Sequence, residues 1–427
     1  MTSETLLERR ERLLGAGTPL FYDRPLHLVR GDKVWLYDAD GRRYLDMYNN
    51  VPCVGHGHPQ VVAAICRQAA TLNLHSRYLH EGILEYAERL TGLHTAPLSS
   101  VVFTCSGTEA SEVALLMARA ATGGRGIICT DAGYHGNSSE VRKLSAARRA
   151  PAAEIRAIPF PQQYRTLKEG VTGTELTELY LAEVRRAIEG FESDAIPFAG
   201  MIVCSILANE GLPDIPPGFM PRAAELVREA GGLFIADEVQ AGFCRTGRWW
   251  GYQVTGFVPD LVTMGKPMGN GLPLAAVAAS TDLVNAFRKE VRYFNTFASS
   301  PLQAAVGMAV LDVIENEDLC ARVGEVGAHL RDGLAKLQPT WEPLGDLRGQ
   351  GLFIGIEWVS DRAAKTPDQS GALAVTNRLK DKGFLIGSAG ALENVLKIRP
   401  PLVFEKGHAD LFLTAFEETL RELYGHG

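Results

Sequence analysis

Between about Val101 and Phe297 the chain alternates short apolar runs with stretches of helical spacing, and this alternation limits the possible folds more than any other feature. The runs are Val101–Cys105, Ile127–Thr130, Met201–Leu207, Leu233–Val239 and Leu261–Met264. A strand with one wet face alternates apolar and polar side chains, whereas continuous Val/Ile/Leu runs separated by helices have no wet face. They predict a large α/β domain whose mostly parallel sheet is covered on both sides. In such open sheets ligands bind beyond the carboxyl ends of the strands. Those ends are where chemistry is to be sought.

The flanking segments follow another pattern. A short charged helix is expected over Glu4–Leu14, then a hairpin in which Val34, Leu36 and Tyr44 flank the turn Asp38-Ala39-Asp40-Gly41. After Pro301 a helix through Val313 precedes strands near Leu352–Trp358 and Val395–Ile398 and a closing helix around His408–Leu423. Both chain ends are thus expected to build a smaller α+β domain. Residues 1–70 would join it, 71–310 would form the large domain, and 311–427 would complete the small one.

Composition excludes several classes. With 46% hydrophobic and 22% charged residues in 427, the chain is neither disordered nor fibrous. A balance of 43 basic to 50 acidic residues, net −7, lacks the density of Lys and Arg that nucleic acid or an anionic membrane demands. No apolar run approaches the ~18 residues of a membrane span, and the charged N-terminal segment lacks the apolar core of a signal peptide. A soluble cytoplasmic protein is expected, without nucleic-acid or membrane partners. Seven cysteines show no zinc or CxxC spacing, so reduced thiols are expected. His56-Gly57-His58 has no third ligand at a useful spacing, and no metal is expected. The 44 glycines exceed the usual ~7%, which implies many tight turns or close backbone approaches.

Three strand ends carry candidate chemistry. Val101–Cys105 runs into Ser106-Gly107-Thr108, and Glu109–Ala121 has helical spacing. Small residues at a helix N-terminus make a phosphate cradle, although Ser106 or Thr108 could equally be an ordinary cap completed by Glu109 or Glu112. The run Leu233–Ile235 leads to Asp237, a carboxylate that must pair with something positive or protonated. Leu261–Met264 leads to Gly265-Lys266-Pro267, where a confined lysine would have a depressed pKa and serve as a Schiff-base nucleophile. Each feature alone has an ordinary explanation: a cap, a buried ion pair, a turn lysine. Together they match pyridoxal phosphate, which needs a phosphate anchor, a carboxylate for the pyridine nitrogen and a lysine for the aldehyde.

The chain resembles the class III aminotransferases of fold type I over nearly its whole length. The resemblance rests on Ser106-Gly107-Thr108-Glu109-Ala110, Gly133-Tyr134-His135-Gly136, Asp237-Glu238-Val239-Gln240, Gly265-Lys266 and Asn295-Thr296-Phe297. It implies that Ser106, Gly107 and Thr108 hold the phosphate, that Tyr134 stacks on the ring beside His135, and that Asp237 pairs with the ring nitrogen. Val239 would pack the opposite ring face, Gln240 would approach the ring hydroxyl, and Lys266 would bind the aldehyde. Thr296 would complete the phosphate site of a partner subunit, which implies a homodimer.

Within the class, the run from Val258 to Gly271, with Asn49-Asn50-Val51 and Ser76-Arg77-Tyr78-Leu79-His80, is similar to the branch of alanine–glyoxylate aminotransferase 2 and the phospho-lyases of ethanolamine phosphate and phosphohydroxylysine. The resemblance implies an aminotransferase moving an amino group from a primary amine or ω-amino acid to a keto acid such as pyruvate. The alternative is a phospho-lyase removing phosphate and ammonia from a phosphorylated amino alcohol. Candidate substrate residues are Lys397, Arg399, Tyr78 and Trp249. Many relatives carry arginine where Lys397 stands, and a Glu-Pro pair where this chain has Cys204-Ser205. The usual grip on a substrate carboxylate is therefore altered. Lys397 and Arg399 are read as binding a carboxylate or a phosphate, or as strand-surface charges. Trp249 is read as a pocket wall or as core.

Overall fold

The computed structural model describes residues 5–95, 97–146, 150 and 152–425. Its centre is a seven-stranded sheet: β1 (Ser100–Thr104), β2 (Gly126–Thr130), β3 (Ile155–Ile158), β4 (Phe198–Cys204), β5 (Leu233–Asp237), β6 (Leu261–Met264) and β7 (Ala275–Ala279). The spatial order is β1-β7-β6-β5-β4-β2-β3. Neighbours from β6 to β3 run parallel, and β7 lies antiparallel between β1 and β6.

Alternate residues of each strand feed two separate cores. Phe103, Ile128, Met201, Val203, Phe234, Ala236 and Val262 pack on one face. Val102, Ile127, Cys129, Ile202, Ile235 and Leu261 pack on the other, against Ala110, Val113, Ala114 and Met117 of helix α1 (Gly107–Thr122). A sheet buried on both faces is what unbroken apolar runs require.

The structure departs from the expected strands in two respects. The run Met201–Leu207 stops being a strand at Cys204, because the chain turns with the Leu207 amide bonded 3.0 Å from the Cys204 carbonyl and Leu207 at φ +50°. β3 and β7 have no counterpart in the sequence reading. β7 is Ala-Ala-Val-Ala-Ala, a run with little intrinsic strand preference that is held by pairing on both edges.

The chain ends meet in smaller sheets. Trp35–Asp38 and Arg43–Asp46 form the expected hairpin, and Phe384–Leu385 adds to it in parallel with Leu45 and Asp46. Leu344–Gln350, Phe353–Asp361, Val395–Ile398 and Gly387–Ala389 make a further antiparallel sheet. The Arg399 amide then bonds the Met47 carbonyl at 2.8 Å, which ties the two ends together beside the large sheet. The first helix is Leu6–Leu14, capped by Thr5; Glu4, at the start of the expected helix, lies outside the described residues.

The expectation of reduced thiols is overturned for one pair. Cys244 and Cys320 are disulfide-bonded across 76 positions, with Cα atoms 4.8 Å apart. Spacing along the chain carries no trace of such a pair, since the fold alone brings the loop after β5 against the helix Leu319–Leu337. Cys53, Cys66, Cys105, Cys129 and Cys204 are free thiols. His56 and His58 engage Asp46 and Glu317 rather than one another. No helix among the described residues is long and apolar enough to cross a membrane.

Candidate active site

The carboxyl ends of β1, β4, β5 and β6 converge on a cavity of about 120 Å³ lined by Ser106, Gly107, Thr108, Tyr134, His135, Gly136, Cys204, Asn209, Asp237, Val239, Gln240 and Lys266. Residues far apart in sequence, and singled out at different strand ends, thus share one space. Of the remaining candidates, Lys397 and Arg399 reach its wall through Gln240. Thr296 is exposed and does not line this cavity; its neighbour Asn295 bonds the Glu109 side chain at 3.4 Å. Tyr78 is largely exposed and stacks on His75, outside the cavity. Trp249 packs against the large core, and Trp250 is fully buried and stacked on His94.

At the end of β1, Ser106 is a helix cap. Its hydroxyl accepts from the Glu109 amide at 3.2 Å, while the Glu109 carboxylate accepts from the amides of Ser106 and Cys105. The capping role read as one alternative is therefore present. It does not compete with anion binding, because the amides of Gly107 and Thr108 in the first turn have no carbonyl one turn earlier to bond. The cradle is close-fitting. A methyl group on Gly107 would lie 3.0 and 3.1 Å from the two methyls of Val239, and one on Gly136, at φ +144°, would lie 2.8 Å from Thr108.

At the end of β5, Asp237 is buried. One carboxylate oxygen accepts from the Val239 amide at 3.0 Å, and the other lies 2.7 Å from His135 Nδ1. Both contacts fix the orientation of the carboxyl group. The adjacent Glu238 points into the core, where it accepts from Ser205 Oγ at 2.6 Å and from the amides of Gly251 and Tyr252 at 2.8 Å. Ser205 thus serves Glu238, while Cys204 lines the cavity.

Lys266 follows β6 at φ +21°, a strained value for a side-chain-bearing residue. Burial lowers its pKa and the nearby Arg399 charge adds to this, while Asp237 opposes it. An amine so placed is neutral more often than a surface lysine, hence nucleophilic.

The anion-binding candidates lie behind Gln240. Lys397 Nζ donates to the Ala208 carbonyl at 2.6 Å and to Gln240 Oε1 at 3.3 Å, and Arg399 donates to the same Gln240 oxygen while stacking over Tyr48 at 4.2 Å. Burial pushes the Lys397 pKa well below that of an ordinary lysine, and the Arg399 charge pushes the same way. Gln240 Nε2 passes the network on to Asn209, whose amide holds the Tyr134 carbonyl. Asn209 and Gly136 line the cavity without having been assigned a role from sequence. Asn209 lies in a turn with no periodic signal that would have marked it.

The family model for "Aminotransferase class-III" matches residues 22–420. The chain belongs to the class III aminotransferases. It is 36% identical over 429 residues to alanine–glyoxylate aminotransferase 2 homolog 2, mitochondrial, of Arabidopsis thaliana, with 99% of this chain and 88% of that protein covered. It is also 36% identical to ethanolamine-phosphate phospho-lyase homolog 1 of Caenorhabditis elegans, covering 98% and 94%. Among solved structures, a phospholyase from Arthrobacter in complex with phosphoethanolamine superposes with a TM-score of 0.94 at 40% identity, covering 98% of this chain and all of that one.

The fold is accordingly fold type I, and this class III aminotransferase is a pyridoxal-phosphate-dependent enzyme of the transaminase type. The residues present fit that cofactor. A confined amine, a buried carboxylate and a helix N-terminus whose Gly107 leaves room that a Cβ would fill all border one cavity.

Proposed function

We propose that this class III enzyme acts on a primary amine carrying an anionic group, and that it removes phosphate and ammonia from a phosphorylated amino alcohol. The observation that carries this reading is the convergence of two buried basic side chains, Lys397 and Arg399, on a single neutral oxygen of Gln240. Neither is bonded to a carboxylate within that network. A doubly charged phosphate answers such a site better than a single carboxylate, and its arrival would restore the proton that burial makes Lys397 give up easily.

In this reading Gly107, Thr108 and the start of α1 would hold the cofactor phosphate, Asp237 would pair with the protonated ring nitrogen, and Tyr134 and Val239 would enclose the ring. Bound there, pyridoxal phosphate supplies an electron sink for the carbon that carries the amine. Lys266 would hold the cofactor at its aldehyde, and its amine is the base placed to take the proton from the substrate carbon that bears nitrogen. Lys397 and Arg399 hold the phosphate on the neighbouring carbon and bear its charge as the C–O bond breaks. Water releases ammonia and leaves an aldehyde.

The relatives named aminotransferases favour a second reading, in which Lys266 returns the proton and the amino group passes to a keto acid such as pyruvate. Both begin with the same proton removal. The site is further proposed to be completed by a second copy of the chain, which would bring the exposed Thr296 to the cofactor phosphate. The expected result is phosphate release from phosphoethanolamine by the purified holoenzyme with no keto acid present, with KM raised at least tenfold by Lys397→Gln. Absence of phosphate release, together with bleaching of the yellow enzyme by an ω-amine and its restoration by pyruvate, would establish transamination instead.

A further inference from the structure

Behind Asp237 lies a carboxyl group that the proposed reaction does not use. Glu210 is 2% exposed, and the Thr130 hydroxyl and the Asn209 amide donate to its carboxyl oxygens. A methyl group on Gly133 would lie 2.8 Å from Thr130 Oγ1, 3.1 Å from His135 Nε2 and 3.4 Å from Glu210 Oε1, so these three atoms border one small space that only glycine leaves open. His135 Nδ1 is engaged with Asp237 at 2.7 Å, while His135 Nε2 is buried without a hydrogen-bond partner.

Proton counting limits what this space can hold. With Asp237 read as a carboxylate, both its oxygens accept, one from the Val239 amide and the other from His135 Nδ1–H. A neutral imidazole that donates through Nδ1 has only a lone pair on Nε2. An ionised Glu210 also presents only lone pairs. Two lone-pair groups facing one another across a buried space repel.

We propose that Glu210 and His135 Nε2 share a proton across the space at Gly133, which makes Glu210 a positioning residue for Asp237. The inference rests on the reading of Asp237 as the partner of the ring nitrogen. The proton moves between the Glu210 carboxyl and Nε2 with no other bond made or broken. In either position it fixes Nδ1–H toward Asp237, so the carboxylate stays oriented and charged. Burial pushes the Glu210 carboxyl above the usual range, against the Thr130 hydrogen bond and the charges of His135 and Lys397. Glu210 also lines a second cavity, of about 220 Å³, with Asp131, Arg348, Glu357 and Asn394. The relay Asp237–His135–Glu210 therefore leads from the cofactor cavity to a separate polar opening.

The test is nitrogen NMR of holoenzyme labelled in its histidine rings, with the His135 signals identified by their loss in His135→Gln. Native enzyme is expected to show a solvent-protected proton at Nε2 as well as at Nδ1. Glu210→Gln is expected to abolish exchange of the Nε2 proton with the carboxyl and leave a bare Nε2 accepting from the new amide, with kcat lowered and KM unchanged. If Glu210→Gln does not fold, Thr130→Val, which keeps the carboxyl but removes its anchor, is expected to weaken the same signal. A bare Nε2 in native enzyme, or an Nε2 proton untouched in these variants, overturns the proposal. Failure of the cofactor reading would show separately, as a protein that takes up no pyridoxal phosphate while its ring protons are still counted.

Discussion

Gly107→Ala is expected to weaken cofactor binding while leaving the apo-protein folded. Gly107 opens α1 with a φ that alanine tolerates, so the backbone itself raises no objection. The added methyl would meet two Val239 methyls at 3.0 and 3.1 Å, against the ~3.5–4.0 Å at which carbon atoms are comfortable. Val239 is branched at Cβ, nearly buried and restricted in rotamer, so relief requires the loop after β5 to shift toward the cavity. Overpacking of this kind costs about 1–3 kcal/mol, which in the dissociation constant for pyridoxal phosphate is roughly 5- to 150-fold. Replacing glycine in a helix returns at most about 1 kcal/mol of folding stability, so apo stability should change little. The assay is titration of apo-protein with pyridoxal phosphate, read by the visible band, beside urea unfolding of the apo-protein. Val239→Ala in the same chain should recover part of the loss, giving a coupling outside additivity. An unchanged dissociation constant, or a loss matched by equal destabilisation of the apo-protein, would refute the steric reasoning.

Further expectations concern the frame that holds the site. His94 is buried against Trp250, and burial alone pushes its pKa down to about 3; being neutral when folded, it makes stability fall as pH drops below the unfolded value near 6.5. His94→Phe should remove on the order of 2 kcal/mol of that loss between pH 6.5 and 5, measured as the difference in unfolding free energy between the two proteins. Cys320→Ser should lower stability by up to about 4 kcal/mol and make the unfolding midpoint indifferent to a thiol reductant, which native protein should not be. Arg348→Met, which strips buried Glu357 of one guanidinium and leaves it only that of Arg165, should cost about 3–5 kcal/mol in chemical unfolding.

Much of the site was legible because each functional side chain interrupts a long apolar run at its carboxyl end. Asp237 and Lys266 are conspicuous after Leu-Phe-Ile-Ala and Leu-Val-Thr-Met, since a polar group there has no solvent to turn to. β7 was not legible, because alanines are strand-like only when two neighbours demand it. The Cys244–Cys320 bond and the meeting of Gln240 with Lys397 and Arg399 depend on contacts between segments separated by more than 70 positions, and no local pattern encodes them. Trp249 and Tyr78 show the opposite limit. Large aromatic residues near a motif attract a binding role, yet here one packs against the core and the other lies on an exposed surface away from the cavity.

The neighbouring carboxylates of Asp237 and Glu238 have a consequence for how this chain must fold. Asp237 ends β5 and Glu238 follows it directly; successive residues of extended chain face opposite sides, so one acid meets the cavity and the next meets the amides of Gly251 and Tyr252 in the core. A slip of β5 by a single residue against β4 and β6 would exchange them, and the apolar neighbours would object only mildly, since Phe234, Ile235 and Ala236 are buried on either face. What penalises the error is chemical. The longer acid would crowd the cavity, while the shorter one would fall short of Ser205 and the two amides, leaving buried donors unanswered. Pairing fidelity in the middle of the sheet is therefore policed by two acids rather than by its hydrophobic pattern.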